Sequence, residues 1–213
     1  MIEFKALSLN LNNKIILENC NTVFKEGDKI VITGDSGSGK TTILNLIMGL
    51  AEADEGSIFF RGSKLSSENI SEIRKSIAYI GQEPALGGTT VAEALDLPFK
   101  FKSNRGAEPD EKNITGILNF LLLDKDIREK NINSISGGEK QRIAIARALL
   151  LGKRIFLADE ITSALDNTVI KQLYSLFSTE EYSLISVSHD PAWISFCSRR
   201  LNLKDGALTE VKP

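Results

Sequence analysis

Between Lys29 and Leu50 the chain reads KIVITGDSGSGKTTILNLIMGL. A short apolar run meets eight residues, Gly34 to Thr41, that match G-x-x-x-x-G-K-[ST] in full. Ile43, Leu44, Leu46, Ile47 and Leu50 follow at helical spacing, with Gly49 near the end. A strand that feeds a glycine-rich turn into a helix aims free backbone N–H groups at one point and adds the helix dipole there. Such a corner is a cradle for phosphate. Lys40 is placed to reach β- and γ-phosphates, and the Thr41 hydroxyl to ligate Mg²⁺. The contact candidates are Gly34, Asp35, Ser36, Gly37, Ser38, Gly39, Lys40, Thr41 and Thr42. By itself this loop indicates a nucleoside-triphosphate site and nothing narrower.

The rest of the pattern is α/β. Leu7, Leu9 and Leu11 alternate as in a strand, Asn12-Asn13 reads as a turn, and Glu26-Gly27-Asp28 as another. GSIFFRG (56–62) and IAYIG (77–81) read as short strands. From about 90 to 150 helical runs take over: TVAEALDL, EKNITGILNFLLLD and EKQRIAIARALLL. Residues 98–113, with Pro98, Gly106 and Pro109, read as a loop. Strands return at Arg154 to Ala158 and Tyr182 to Val187, and RRLNLKDGALTEV predicts a hairpin around Asp205-Gly206. The expected picture is one domain over residues 1–213, with a core lobe at 1–82 and 152–213 and a helical subdomain inserted at about 83–151.

Composition narrows the classes. A chain of 213 residues buries a core without staples. Net charge is −2, which offers no basic footprint for nucleic acid. Two cysteines and a single histidine leave no zinc spacing. A long-range disulfide stays open for Cys20 and Cys197, with two reduced thiols the expected state. MIEFKALSLN lacks the basic start and apolar run of a signal peptide, and no run approaches the ~18–20 apolar residues of a membrane span. A soluble, intracellular protein is expected, whose membrane spans, if it works at a membrane, come from another chain.

Two further stretches carry chemistry. IFLADE, Ile155 to Glu160, is an apolar strand ending in two acids. Such an end delivers carboxylates to the edge of a parallel sheet where ligands bind. Asp159 there would hold Mg²⁺, and Glu160 would orient and polarise an attacking water. ISGGEKQR, Ile135 to Arg142, sets a serine and two glycines at the start of a helix, a second anion corner in a chain that already has one.

Together these pieces resemble the nucleotide-binding subunit of ABC transporters, over essentially the whole chain. GDSGSGKT corresponds to the family's Walker A, Gln82 in YIGQEP to its Q-loop, ISGGEKQR to its signature, IFLADE to Walker B, SALD (Ser163 to Asp166) to its D-loop, and His189 in SVSHDP to its switch histidine. The resemblance implies a P-loop NTPase cassette: a mixed β core, N-terminal antiparallel strands and an inserted helical subdomain. It implies an Mg²⁺-dependent ATPase with ATP as the nucleotide. It also implies a role for the second anion corner. The family's ATPases pair head to tail, so Ser136, Gly137 and Gly138 would hold the γ-phosphate bound by the other copy's loop. The two corners then become half-sites of a symmetric homodimer. Gln82 would contact Mg²⁺ and the water and join core to insertion, His189 would bond the γ-phosphate, and Asp166 would cross the dimer interface. The insertion, with Gly87-Gly88-Thr89-Thr90 near its entry, is where the family docks an integral membrane permease. This implies a cytoplasmic protein held peripherally on the inner face of the membrane, with no nucleic-acid partner.

Two departures stand out. The family's aromatic base-stacking residue corresponds here to Leu11, between Asn10 and Asn12. Leucine covers a base face but forgoes the ~1–3 kcal/mol of aromatic stacking, which predicts weaker nucleotide binding and poor base discrimination. Ile161 follows Glu160 where most members carry proline, and DEITSALD looks most like the ATPases of bacterial iron-export systems. The competing readings are a soluble ATPase of a cytosolic assembly such as iron–sulfur cluster biogenesis, a DNA-repair or translation ATPase, and a non-hydrolytic nucleotide-gated module. The coiled coils, zinc modules or second cassette of the DNA-repair and translation ATPases do not occur in this sequence, and Lys40, Glu160 and His189 argue against the last.

Overall fold

The computed structural model describes residues 1–101, 104, 108 and 110–211. Two sheets enclose one helix, a second short helix adds Ile73 to the same core, and the remaining helices pack on the outer face of the larger sheet. The first sheet is antiparallel, in the order β2-β1-β4-β5, from β1 (Ile2–Leu11), β2 (Lys14–Phe24), β4 (Glu55–Phe60) and β5 (Ser63–Lys64). The second runs β10-β9-β3-β8-β7-β6, from β3 (Lys29–Thr33), β6 (Ile77–Ile80), β7 (Ile155–Asp159), β8 (Ser183–Val187), β9 (Arg199–Lys204) and β10 (Ala207–Val211). All its pairings are parallel except β9–β10.

Both expected hairpins form for a local reason. Asn12 and Asn13 have φ of 51° and 62°, Asp205 and Gly206 of 48° and 78°. Two consecutive left-handed residues make the two-residue turn whose twist matches antiparallel strands. Leu11 therefore pairs with Lys14, and Lys204 with Ala207.

β3, β7 and β8 are buried at every residue. Ile30, Ile32, Ile155, Leu157, Ile185 and Val187 face the first sheet. Val31, Phe156, Ala158 and Leu184 face the outer helices. Helix α1 (Lys40–Ile47) fills the layer between the sheets, with Ile43, Leu44 and Leu46 at zero exposure. It ends three residues earlier than its apolar spacing suggests. Gly49 turns the chain at φ 59°, and Leu50 is exposed.

α2 (Ile70–Ser76) precedes β6, and α3 (Val91–Asp96), α4 (Glu111–Phe120) and α5 (Gly137–Leu150) lie between β6 and β7 in the chain. Ile114, Leu118, Ile143 and Ala146 share one continuous core with Phe156 and Leu184 of the sheet. The expected loop at 98–113 is shorter than it read. Leu97–Lys100 is a 3₁₀ turn, and α4 starts at Glu111 because Asp110 accepts the Asn113 N–H at 2.6 Å. Gly106 and Pro109 of that stretch lie outside the described residues.

Three helices carry no sequence expectation: α2, α6 (Asn167–Phe177) and α7 (Pro191–Phe196). α7 is too short for a periodic signal, and it is held by Trp193, fully buried, whose Nε1–H donates to Ser186 at 3.1 Å. Cys20 and Cys197 are free, buried in different cores, and burial pushes each thiol up to about 11. No helix among the described residues is long and apolar enough to cross a membrane.

The inter-sheet layer should be the most demanding part of the core. Leu44→Ala is expected to lower stability by about 3–4 kcal/mol in urea unfolding, because the closed layer cannot collapse onto the cavity. A loss under about 1 kcal/mol would show that this layer tolerates voids.

Candidate nucleotide site

The site forms where β3, β7 and β8 end. Since both sheet faces are buried, polar side chains on these strands can reach solvent only at the strand ends. After β3 the loop turns through Gly34, Gly37 and Gly39 at φ of 149°, 71° and 105°. Gly34 and Gly39 are needed for space as well as conformation. A Cβ on Gly34 would lie 2.4 Å from the Leu203 carbonyl oxygen, and one on Gly39 2.5 Å from Ile16. The Lys40 ammonium is folded onto this loop, donating to the Gly34 and Asp35 carbonyls at 3.0 and 2.9 Å. Ser38 Oγ is buried without a hydrogen-bond partner among the described residues. An orphan hydroxyl of this kind on a glycine-rich loop ahead of a helix fits a site that an anion completes.

The carboxylate pair converges on the same place. Thr41 Oγ donates to Asp159 at 2.6 Å, linking the start of α1 to the end of β7. Asp159 is buried, and its charge joins desolvation, the larger cause, in raising the Tyr79 phenol above its usual range. A hydroxyl and a carboxylate are hard oxygen donors, and two of them suit Mg²⁺, which keeps most of its shell for phosphate and water. Among the described residues no group of three or more His, Cys, Asp or Glu is placed to cage a metal. The donors present therefore match an ion carried in on a phosphate chain.

Glu160 follows in the left-handed region at φ 51°. A non-glycine residue held there is strained, and strain of this kind gathers at functional positions. Its N–H bonds the Val187 carbonyl at 3.0 Å, and its own carbonyl accepts from Ser163 Oγ and N–H at 2.8 and 3.2 Å. Its carboxylate then lies 3.6 Å from Nε2 of His189, which is well exposed just beyond β8. Gln82 lies just past β6 with its side chain in solvent.

The second anion corner sits elsewhere in the chain. Ser136 caps α5: its Oγ accepts the Glu139 N–H at 3.2 Å, while Glu139 accepts the Ser136 N–H at 2.7 Å and is held below the usual carboxylate range by that bond. The capping box uses the Ser136 N–H and one lone pair of its Oγ, so the Gly137 and Gly138 N–H groups and the Ser136 O–H are left open at this helix start. Gly138 is packed tightly, since a Cβ there would lie 2.5 Å from the Ala164 carbonyl oxygen. The corner thus rests on the SALD turn that follows Glu160. Asp166 closes that turn by capping α6, accepting from Thr168 and Val169 N–H at 2.9 and 3.0 Å, and the Val169 bond first holds it below its usual range. Among the described hydrogen bonds none joins Ser136, Gly137 or Gly138 to the Gly34–Thr41 loop. The described residues thus present two separate helix-start corners.

The family described as ABC transporter matches residues 17–163, more than half of the chain. The chain belongs to the ABC transporter family. It is 33% identical over 196 residues to the probable iron export ATP-binding protein FetA of Escherichia coli K12, spanning 90% of this chain and 86% of that protein. It is also 33% identical over 215 residues to the bacitracin export ATP-binding protein BceA of Halalkalibacterium halodurans, spanning 96% of this chain and 83% of BceA. Among solved structures, the ATP-binding cassette MJ0796, dimeric in a post-hydrolysis state with ADP and Pi, superposes with TM-score 0.86 at 32% identity over 100% of this chain and 98% of that one. The two sheets with their helical insertion are thus the ABC cassette fold.

Two residues escaped the motif reading. Gln141, inside the ABC signature stretch, is buried and donates to the Gly81 carbonyl at 3.3 Å, next to Gln82. The signal was a polar residue on the apolar face that includes Ile145 and Ala148. Lys14 donates to the Gly37 carbonyl at 2.8 Å, and nothing in its sequence surroundings marks it.

Leu11 stands 48% exposed at the end of β1, free to meet a base. Leu11→Tyr should therefore tighten ATP binding about fivefold or more, read by titration calorimetry; unchanged affinity would show that the base lies elsewhere. Gly138→Ala should lower ATPase turnover at least tenfold while mononucleotide affinity stays within twofold, because only the second corner is displaced (estimates on the scale of). Wild-type turnover would detach that corner from catalysis.

Proposed function

We propose that this ABC cassette binds and hydrolyses Mg-ATP between two head-to-tail copies and powers transport through a separate membrane-spanning partner. The observation that carries the reading is the separation of the two corners. Gly34–Thr41 with Asp159, Glu160 and His189 makes one half-site, and the start of α5 makes another that this chain's own loop leaves unused.

Within a half-site the tasks divide by position. The loop N–H groups and Lys40 balance the phosphate charge, the amides at fixed places and the ammonium able to leave its two carbonyls for phosphate oxygens. Thr41 and Asp159 would hold Mg²⁺, which would supply neutralisation of the phosphate charge. Glu160 polarises the attacking water and His189 orients the γ-phosphate, with Gln82 reaching in from the β6 edge. The partner copy brings the Gly137 and Gly138 amides and the Ser136 hydroxyl to the same γ-phosphate. Contacts made only with the triphosphate favour the closed pair, and hydrolysis removes them, so the nucleotide biases a two-state assembly.

We assign to the membrane partner the cavity of about 660 Å³ at the entry to the helical insertion, between α2, the Gln82 loop and α5, which is lined by Arg74, Tyr79, Pro84, Phe101 and Arg147. It borders Gln82, through which partner movement would reach the nucleotide site. This makes the protein a peripheral, cytoplasmic component of a membrane complex. For cargo, iron export is the finer reading. FetA and DEITSALD support it, although relatives at the same 33% identity are named for bacitracin export and for energy-coupling factor transport. Ile161, the feature that singled out iron export, is 2% exposed and serves the core.

Glu160→Gln is expected to keep ATP binding, lose turnover by at least a hundredfold and elute as a dimer with saturating Mg-ATP. A monomer under those conditions would contradict the shared site. Co-purification of that variant with a multi-span membrane protein from detergent-solubilised source cells is expected. Recovery of soluble partners alone would favour the cytosolic-assembly alternative.

A further inference from the structure

We propose that Lys14 binds the nucleotide's phosphate chain, so that charge supplies affinity that the side chain at position 11 does not supply by stacking. The inference rests on the nucleotide reading above and adds a residue outside the family's phosphate loop.

The geometry is set by β2. Lys14 is its first residue, paired in register with Leu11 across the Asn12-Asn13 turn. Directly paired residues share a sheet face, and so do residues two apart. Leu11, Lys14 and Ile16 therefore lie on one face. That face is turned to the phosphate loop. Ile16 occupies the space beside Gly39, and the Lys14 ammonium reaches the Gly37 carbonyl at 2.8 Å. β2 thus lays an apolar side chain under the base of the loop and a cation over its apex.

The cation is not neutralised locally. Among the described residues no carboxylate lies within ion-pair distance of Lys14. An ammonium has three donors, and Gly37 takes one of them. The space beside Gly37 is open, with no atom within 4 Å of a Cβ built there. Lys40, by contrast, is buried within the loop with two carbonyl partners. The two lysines approach the same turn from inside and outside, and a polyanion in the loop would lie in the field of both.

A lysine that only pinned the loop through Gly37 would give the same hydrogen bond, so the test separates charge from pinning. ATP and ADP affinities are measured by calorimetry in the Glu160→Gln chain and in its Lys14→Gln and Lys14→Arg derivatives, at about 50 mM and about 500 mM salt. Lys14→Gln keeps a donor for Gly37 but loses the charge. It is expected to weaken ATP and ADP about five- to tenfold at low salt, with the gap closing at high salt, and Lys14→Arg to stay within about twofold of the parent. Affinity unchanged by Lys14→Gln at low salt overturns the proposal, and so does an equal loss at both salts, which is the mark of pinning. A parent chain that binds neither nucleotide would remove the nucleotide reading itself, and this proposal with it. Retained parent affinity with an unaffected Lys14→Gln removes this proposal alone.

Discussion

The central constraint is the burial of both faces of β3, β7 and β8. Every residue of those strands is enclosed, one face against α1 and the first sheet, the other against the outer helices. A strand so enclosed cannot place an unpaired charge along its length, because desolvation would cost several kcal/mol. Its charged groups are confined to its ends. At the N-terminal end Lys29 is accommodated by donating to three carbonyls, of Gly27, Thr179 and Tyr182, and it does nothing else visible. At the other end Thr33, Asp159 and Ser188 open into loops, and there the chain places its glycines, its carboxylates and its one histidine. The site's location follows from where the core stops.

The Thr41–Asp159 bond shows how tightly site and scaffold are joined. α1 is held by apolar packing between two sheets, and β7 by its neighbours on both sides. Their meeting point is one hydroxyl–carboxylate contact of 2.6 Å. Neither partner can drift without moving a buried element. This is preorganisation in the sense that matters for phosphoryl transfer, where the protein's task is to hold charge in place rather than to form bonds. The strained backbone at Glu160 belongs to the same economy. Its N–H and its carbonyl are both tied, to Val187 and to Ser163, so the φ of 51° is held from both sides.

What could be read from the sequence follows the range of each signal. The phosphate loop and the two asparagine- and glycine-bearing turns are local devices, in which a few consecutive residues fix the backbone, and they appear where the sequence places them. The cassette fold was legible from the order of several such devices. Helix α6 was readable but unread: Asp166 caps it and Val169, Ile170, Leu173 and Phe177 form its buried face. α7 was not readable, since six residues carry no period and its stability rests on Trp193 reaching Ser186 across the sheet. Lys14 was invisible for a related reason. Its significance depends on which face of β2 meets the loop, and that is settled by packing between two sheets.

The contact between Gly138 and Ala164 gives the two corners of one chain a mechanical relation. Glu160 fixes Ser163, the SALD turn carries the Ala164 carbonyl against Gly138, and Gly138 lies in the first turn of the helix whose open amides form the second corner. The path runs through backbone atoms, with the short Ser163 hydroxyl reinforcing its first link. In the head-to-tail pair proposed above those two corners would serve different nucleotides. A shift of Glu160 at one nucleotide would then be transmitted to the amides that hold the other. Coupling of this kind needs no long-range network. It needs only that the contact between the turn after Glu160 and Gly138 be too close to accept a side chain, and a Cβ on Gly138 would lie 2.5 Å from the Ala164 carbonyl oxygen.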